Sequence, residues 1–161
     1  MFRKLTQFII DRQFEHFPAP LTDWPAIIPV EHQERLREAS AFIWPVGSQT
    51  IEGAAHAESD HDFLVVSGER LPDIFDMLGC ALLTGGGHYD PSEGDFNSWR
   101  VGDLNYVATD DIQFAKRFLV ANELARRFRL TDKGDRIALF QGVLYGRIDA
   151  ARVALGRVVA P

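Results

Sequence analysis

The fold is decided by two short stretches, FIWPVGS at residues 42–48 and SDHDFLVV at residues 59–66. The first is an apolar run that ends in small residues, which predicts a strand followed by a tight turn. The second places Asp60 and Asp62 at the start of another predicted strand. Residues two positions apart share one face of a strand, so the two carboxylates should project together. Neighbouring carboxylates repel unless a cation holds them, and paired carboxylate oxygens suit Mg²⁺.

The turn after the first strand carries groups that can bind phosphate. Gly47 lets a phosphate approach the backbone closely. Ser48, at the start of a short helix predicted over residues 49–57, offers a hydroxyl and free backbone N–H groups. A third carboxylate on a neighbouring strand could accept the proton of an incoming hydroxyl. Asp103 is the candidate, because it lies in a strand-like segment over residues 96–109.

Composition describes an ordinary globular chain. Its 161 residues, 46% hydrophobic and 25% charged, favour a single domain over residues 1–161. Residues 1–109 carry 7 Lys/Arg and 17 Asp/Glu, a balance of −10, whereas residues 110–161 carry 10 and 6, a balance of +4. An anionic substrate between an acidic and a basic half would fit this division, and so would exposed helices that simply carry arginine.

The single cysteine, Cys80, excludes an intramolecular disulfide and a cysteine-based zinc site. No run reaches the roughly 18 apolar residues of a membrane span, and Asp11 interrupts the apolar N-terminal stretch before it could form a signal peptide. These features predict a cytoplasmic protein without a membrane partner.

Hydrophobic periodicity predicts an α/β (α+β) fold in which helices flank a small mixed sheet. An N-terminal helical part covers residues 1–40, with helical spacing over residues 2–16, and a core covers residues 41–109. A helix is predicted over residues 72–83, followed by a glycine-rich loop over residues 84–95. Two C-terminal helices follow within residues 110–150. The first carries a phenylalanine stripe expected to face the core, and Asp132 is the predicted N-cap of the second.

Three basic residues lie near these elements. Lys133 and Arg136 share a helix face, where they could clamp phosphates or pair with the acidic residues beside them. Arg100 lies on the strand face opposite Asp103 if alternation holds throughout residues 96–109, which favours a structural ion pair.

The order Gly47-Ser48, Asp60-His61-Asp62 and Asp103 resembles the DNA polymerase beta-like nucleotidyltransferase superfamily in its minimal form. The resemblance covers about residues 41–109. It implies a mixed sheet of nucleotidyltransferase type and the transfer of an NMP from an NTP to an acceptor hydroxyl. It also implies Mg²⁺ or Mn²⁺ on the three aspartates, which are then the catalytic residues.

The segment over residues 131–146 is similar to the ending of small bacteriophage-encoded nucleotidyltransferase-like proteins. This resemblance implies that the protein works in the cytoplasm of a bacterium, or in that of the host cell if a phage encodes it. Gly47, Ser48, Lys133 and Arg136 would contact the nucleotide. The acceptor (a protein, an RNA or a small molecule) stays open, as does the oligomeric state, with a homodimer as one option.

Glu52 stands where minimal members of the superfamily usually carry a basic or aromatic residue. A second hypothesis is therefore a nucleotidyltransferase-like fold that is catalytically weak or inactive and binds a protein or RNA partner through its basic C-terminal helices. A metal-dependent phosphohydrolase is a third alternative, but its additional ligands have no candidates.

Overall fold

The computed structural model describes residues 17–83 and 96–159. The helix predicted over residues 2–16 and the loop predicted over residues 84–95 lie outside the described residues. Ten regular elements follow in chain order: α1 (Val30–Glu38), β1 (Phe42–Val46), β2 (His61–Val66), α2 (Leu71–Met77), β3 (Ala81–Leu82), β4 (Asn97–Val101), β5 (Leu104–Thr109), α3 (Ile112–Arg127), α4 (Lys133–Tyr145) and α5 (Ala150–Val159). None of the helices in these two ranges is long and apolar enough to cross a membrane.

The five strands form one mixed sheet in the order β1-β2-β5-β4-β3. β2 runs antiparallel to β1 and parallel to β5, and the other two pairings are antiparallel. The central strands β2 and β5 are nearly continuous apolar runs because both of their faces are covered. The predicted combination of a small mixed sheet with flanking helices is confirmed at this level.

Each face of the sheet has its own core. Phe114 and Phe118 of the stripe on α3 pack on one face, as predicted, whereas Phe128, the last phenylalanine of the predicted stripe, follows the end of α3 and is exposed. The other aromatic residues of this core include Trp44, Phe96 and Phe140. α1 and α2 cover the other face, where the core includes Leu36, Ile43, Phe63, Phe75 and Tyr106. Strand alternation explains the division, because successive side chains point to opposite faces.

Several predicted elements are shorter than expected. The helix predicted over residues 49–57 is only a 3₁₀ helix, Ser48–Thr50, which is followed by turns. Gly53 has a φ of +79°, which a continuing right-handed helix does not allow. The helix predicted over residues 72–83 ends at Met77, and Gly79, with a φ of +71°, turns the chain into β3.

The strand-like segment over residues 96–109 forms two strands, β4 and β5, joined by a two-residue turn at Gly102 and Asp103. Gly102 has a φ of +55°, as tight hairpin turns require. Asp132 caps α4 as predicted, because its carboxylate accepts a hydrogen bond from the backbone N–H of Asp135 at 2.9 Å. The structure adds α5, which was not predicted.

Candidate functional site

The two sequence motifs meet at one end of the sheet. Val46, the last residue of β1, pairs with Asp62 on β2, so the Gly47 turn lies directly beside the Asp62 carboxylate. Gly47 has a φ of +77°, and a Cβ placed on it would collide with Oδ2 of Asp62. Glycine is therefore required here by its backbone conformation and by the close approach of the carboxylate.

The Gly47 turn is held by Asn122, a residue of α3 that is only 8% exposed. Its Oδ1 accepts the Gly47 N–H at 2.9 Å, and its Nδ2 donates to Oγ1 of Thr50 at 3.2 Å. Thr50 in turn donates to the Gly47 carbonyl at 2.8 Å. The Gly47 N–H is therefore already hydrogen-bonded to a side chain of the protein. The sequence analysis missed Asn122, whose only signal was a polar residue on an otherwise apolar helix face.

Asp62 is the most perturbed carboxylate of the site. Burial raises its pKa to about 6, and the neighbouring charge of Asp60 acts in the same direction. A hydrogen bond from Nδ2 of Asn105 to Oδ1 of Asp62, 2.8 Å long, opposes the shift, as do the charges of Arg100 and Lys133. A carboxylate kept in a partly desolvated place beside another carboxylate is typical of functional sites.

Asp60 forms an ion pair with Arg100, and both side chains are partly exposed. The ion pair predicted for Arg100 is therefore confirmed. The strand that carries Arg100 does not continue through Asp103, as the sequence pattern predicts, but ends at Val101 before a turn. The turn places Arg100 directly across from Asn105, which is itself in register with Asp62. Arg100 consequently belongs to the candidate site.

Asp103 lies in the hairpin turn, where it is exposed, and not within a strand. Its carbonyl accepts the N–H of His61 at 2.8 Å, so its backbone adjoins the start of β2. The position beside Asp62 on the parallel strand is occupied by Asn105. Within residues 17–83 and 96–159, no group of three or more His, Cys, Asp or Glu side chains is arranged to hold a metal ion. The role of Asp103 as a third ligand and base stays a prediction.

The two basic residues predicted at the nucleotide have different surroundings. Lys133, the first residue of α4, lies close enough for its charge to lower the pKa of Asp62. Arg136 donates through Nη1 to the carbonyls of Leu130 and Thr131, at 3.0 Å and 2.6 Å, and so stabilises the connection between α3 and α4. Lys133 therefore lies near the Asp62 carboxylate, whereas Nη1 of Arg136 is bound to backbone carbonyls.

The 3₁₀ helix after Gly47 is too short to supply the anion-binding helix N-terminus that was expected at Ser48. The groups that could face a phosphate are therefore the Ser48 hydroxyl and the charges of Lys133 and Arg100. No protein-family model, no curated protein and no solved structure matches this chain.

Proposed function

We propose that the chain is a Mg²⁺-dependent nucleotidyltransferase, with Mn²⁺ as an alternative ion, that moves an NMP from an NTP to an acceptor hydroxyl. The observation that carries this proposal is the Asp62 carboxylate, held against Gly47 with a raised pKa beside a second carboxylate, Asp60. Burying such a charge costs stability, and a protein tolerates that cost where the charge has a use.

The sheet supports the proposal. Pairing of β1 with β2 and of β2 with β5 brings the Gly47 turn, Asp62 and Asn105 to neighbouring positions at one sheet end. The nucleotidyltransferase resemblance implies a glycine turn beside the strand that carries the paired aspartates, and this contact between Gly47 and Asp62 supports the proposal.

The donors of the site fit a small divalent cation. Asp60 and Asp62 offer carboxylate oxygens, and Asn105 has a side-chain oxygen, Oδ1, that is buried and accepts no hydrogen bond. Hard cations prefer such oxygen ligands. Asp60 is paired with Arg100, so a bound cation would share this carboxylate with the guanidinium or displace it. When bound, Mg²⁺ would neutralise phosphate charge and align the reacting oxygens.

The remaining groups have roles in the proposed reaction. The acceptor oxygen bonds to the α-phosphorus of the NTP, the bond from that phosphorus to the bridging oxygen breaks, and pyrophosphate leaves. Ser48 and Lys133 would hold the phosphates. Asp103 would take the acceptor proton, because it is exposed and its backbone adjoins the start of β2 through the hydrogen bond to His61.

The proposal is tested by incubating the protein with each α-³²P-labelled NTP, Mg²⁺ and a cell lysate as acceptor. We expect labelled product together with pyrophosphate, and a loss of about a hundredfold or more in Asp62→Asn. Asp76→Asn, an equal charge change at an exposed residue of α2, is the matched control and should retain activity. Absence of transfer and of Mg²⁺-dependent NTP binding in the wild type would contradict the proposal.

Two observations favour the second hypothesis, a nucleotidyltransferase-like fold that binds a protein or RNA without catalysis. An amide, Asn105, stands beside Asp62, and Arg100 neutralises Asp60 without a metal. The same labelling assay separates the two functions. Labelled product that disappears in Asp103→Asn would exclude a pure binding module, whereas specific capture of RNA or protein without any product would favour it.

A further inference from the structure

A cavity of about 400 Å³ opens beside the candidate site. Its walls are mostly apolar. Pro45 and Phe63, which are paired across β1 and β2, contribute from the sheet, and Leu21, Pro25 and Ile27 contribute from the segment before α1. Cavities of roughly 300–1,000 Å³ with apolar walls and a few polar groups are typical binding sites for small molecules.

The polar groups of the cavity point to a ligand without negative charge. Asp23, Gln49, His61 and Asp62 line it, and no lysine or arginine does so among the described residues. The exposed Asp23 carboxylate would repel a phosphate but could accept hydrogen bonds from amino and hydroxyl groups, whereas the Asp62 carboxylate is held against Gly47 on the other sheet face. The walls therefore suit a heterocycle or a sugar with hydrogen-bond donors better than a phosphate chain.

The position of the cavity connects it to the proposed phosphate site. Gln49 lines the cavity and directly follows Ser48, and Asp62 belongs to both regions. Phe63 and Asp62 are successive residues of β2, so their side chains lie on opposite sheet faces. A ligand that reaches around the end of β1 would thus place an apolar part in the cavity and an anionic part at the turn.

We propose that this cavity binds the nucleoside part of the NTP, with the base against Phe63 and Pro45 and the polar rim at Asp23, Gln49 and His61. This inference rests on the proposed function, because it assigns the cavity to that reaction's nucleotide. It adds a site for the base and ribose that no sequence motif indicated.

The test uses two fragments of the nucleotide, one neutral and one anionic, as separate probes in calorimetric titrations of the full chain. The first probe is a panel of the four ribonucleosides, and the second is tripolyphosphate with Mg²⁺. Ile27→Glu places a carboxylate in the apolar wall, which a bound nucleoside would have to desolvate. Val30→Glu is the matched control, because Val30 is also an exposed apolar residue but does not line the cavity.

We expect at least one nucleoside to bind the wild type, with affinity about tenfold weaker in Ile27→Glu, equivalent to about 1.4 kcal/mol. The affinity of Val30→Glu for that nucleoside should stay within about twofold of the wild-type affinity. Binding of tripolyphosphate should stay within about twofold of the wild type in both variants, because neither substitution replaces Ser48 or Lys133, the residues proposed to hold the phosphates. Thermal unfolding of both variants verifies that they are folded.

Failure of all nucleosides to bind, or equal nucleoside affinity in Ile27→Glu and wild type, would overturn the inference. If tripolyphosphate with Mg²⁺ still binds in that case, the proposed function survives without this cavity. If tripolyphosphate also fails to bind and the labelling assay shows no transfer, the proposed function fails as well.

Discussion

The substitution Asp62→Asn should stabilise the protein at neutral pH while it abolishes the proposed transfer reaction. The carboxylate of Asp62 has its pKa raised from 3.8 to about 6 by burial, so its ionised form is disfavoured in the folded state. One pKa unit corresponds to about 1.4 kcal/mol, and the shift therefore amounts to about 3 kcal/mol at pH 7.5. Asparagine carries no charge, and its Oδ1 can still accept the hydrogen bond from Asn105.

The pH dependence has a defined sign. A folded-state pKa above the unfolded value means that the folded protein binds the proton more tightly. The favourable contribution of the protonated Asp62 is complete below pH 3.8 and is lost as the pH rises through 6. The stability difference between Asp62→Asn and wild type should therefore be small near pH 3.5 and should grow between pH 4 and pH 7.

Urea unfolding of the two proteins at several pH values measures this difference. Asp60→Asn serves as the control, because it removes a carboxylate whose ion pair with Arg100 is partly exposed. We expect that control to change the free energy of unfolding by about 1 kcal/mol or less, in the destabilising direction. A loss of stability in Asp62→Asn at pH 7.5, or a difference that does not change with pH, would refute the reasoning.

Individual contacts carry four further predictions. Arg100→Gln should strengthen Mn²⁺ binding, measured by electron paramagnetic resonance, because it frees Asp60 from its ion pair, and weaker binding would contradict this. Gly47→Ala should lower the urea midpoint markedly, since the new methyl group collides with the carboxylate of the next strand, and an unchanged midpoint would contradict the geometry. Tyr106→Phe should cost about 1–3 kcal/mol of unfolding free energy, because it leaves the buried Nδ1 of His32 without its 2.9 Å partner. Burial lowers the pKa of His32, so wild-type stability from this group should fall as the pH drops below 6.5, as acid unfolding would show.

Local patterns predicted the parts of the fold that depend on neighbouring residues. The apolar runs before Gly47 and after Asp62 form β1 and β2, and Phe114 and Phe118 of α3 face the core. Asp132 caps α4 as its sequence position indicated. These features depend on side-chain periodicity and capping chemistry, which act within a few residues.

Predictions that required a continuous element were less reliable. The sequence pattern predicts one strand over residues 96–109, with side chains alternating between the two sheet faces throughout. In the structure, Gly102 and Asp103 form a turn that interrupts this alternation. The turn moves Asp103 out of the strand and brings Arg100 across from Asn105. A two-residue hairpin changes which residues share a face, and its position depends on strand pairing that a local pattern does not specify.

By itself the sequence determined that a glycine turn and a pair of aspartates follow apolar strands, because the composition and spacing of each motif are local properties. Only the tertiary structure decided which distant residues complete the site. Asn105 reaches Asp62 through the parallel pairing of β2 with β5, and Asn122 reaches Gly47 from α3. These contacts join residues 43 and 75 positions apart, so they form only when the sheet and its helices pack together.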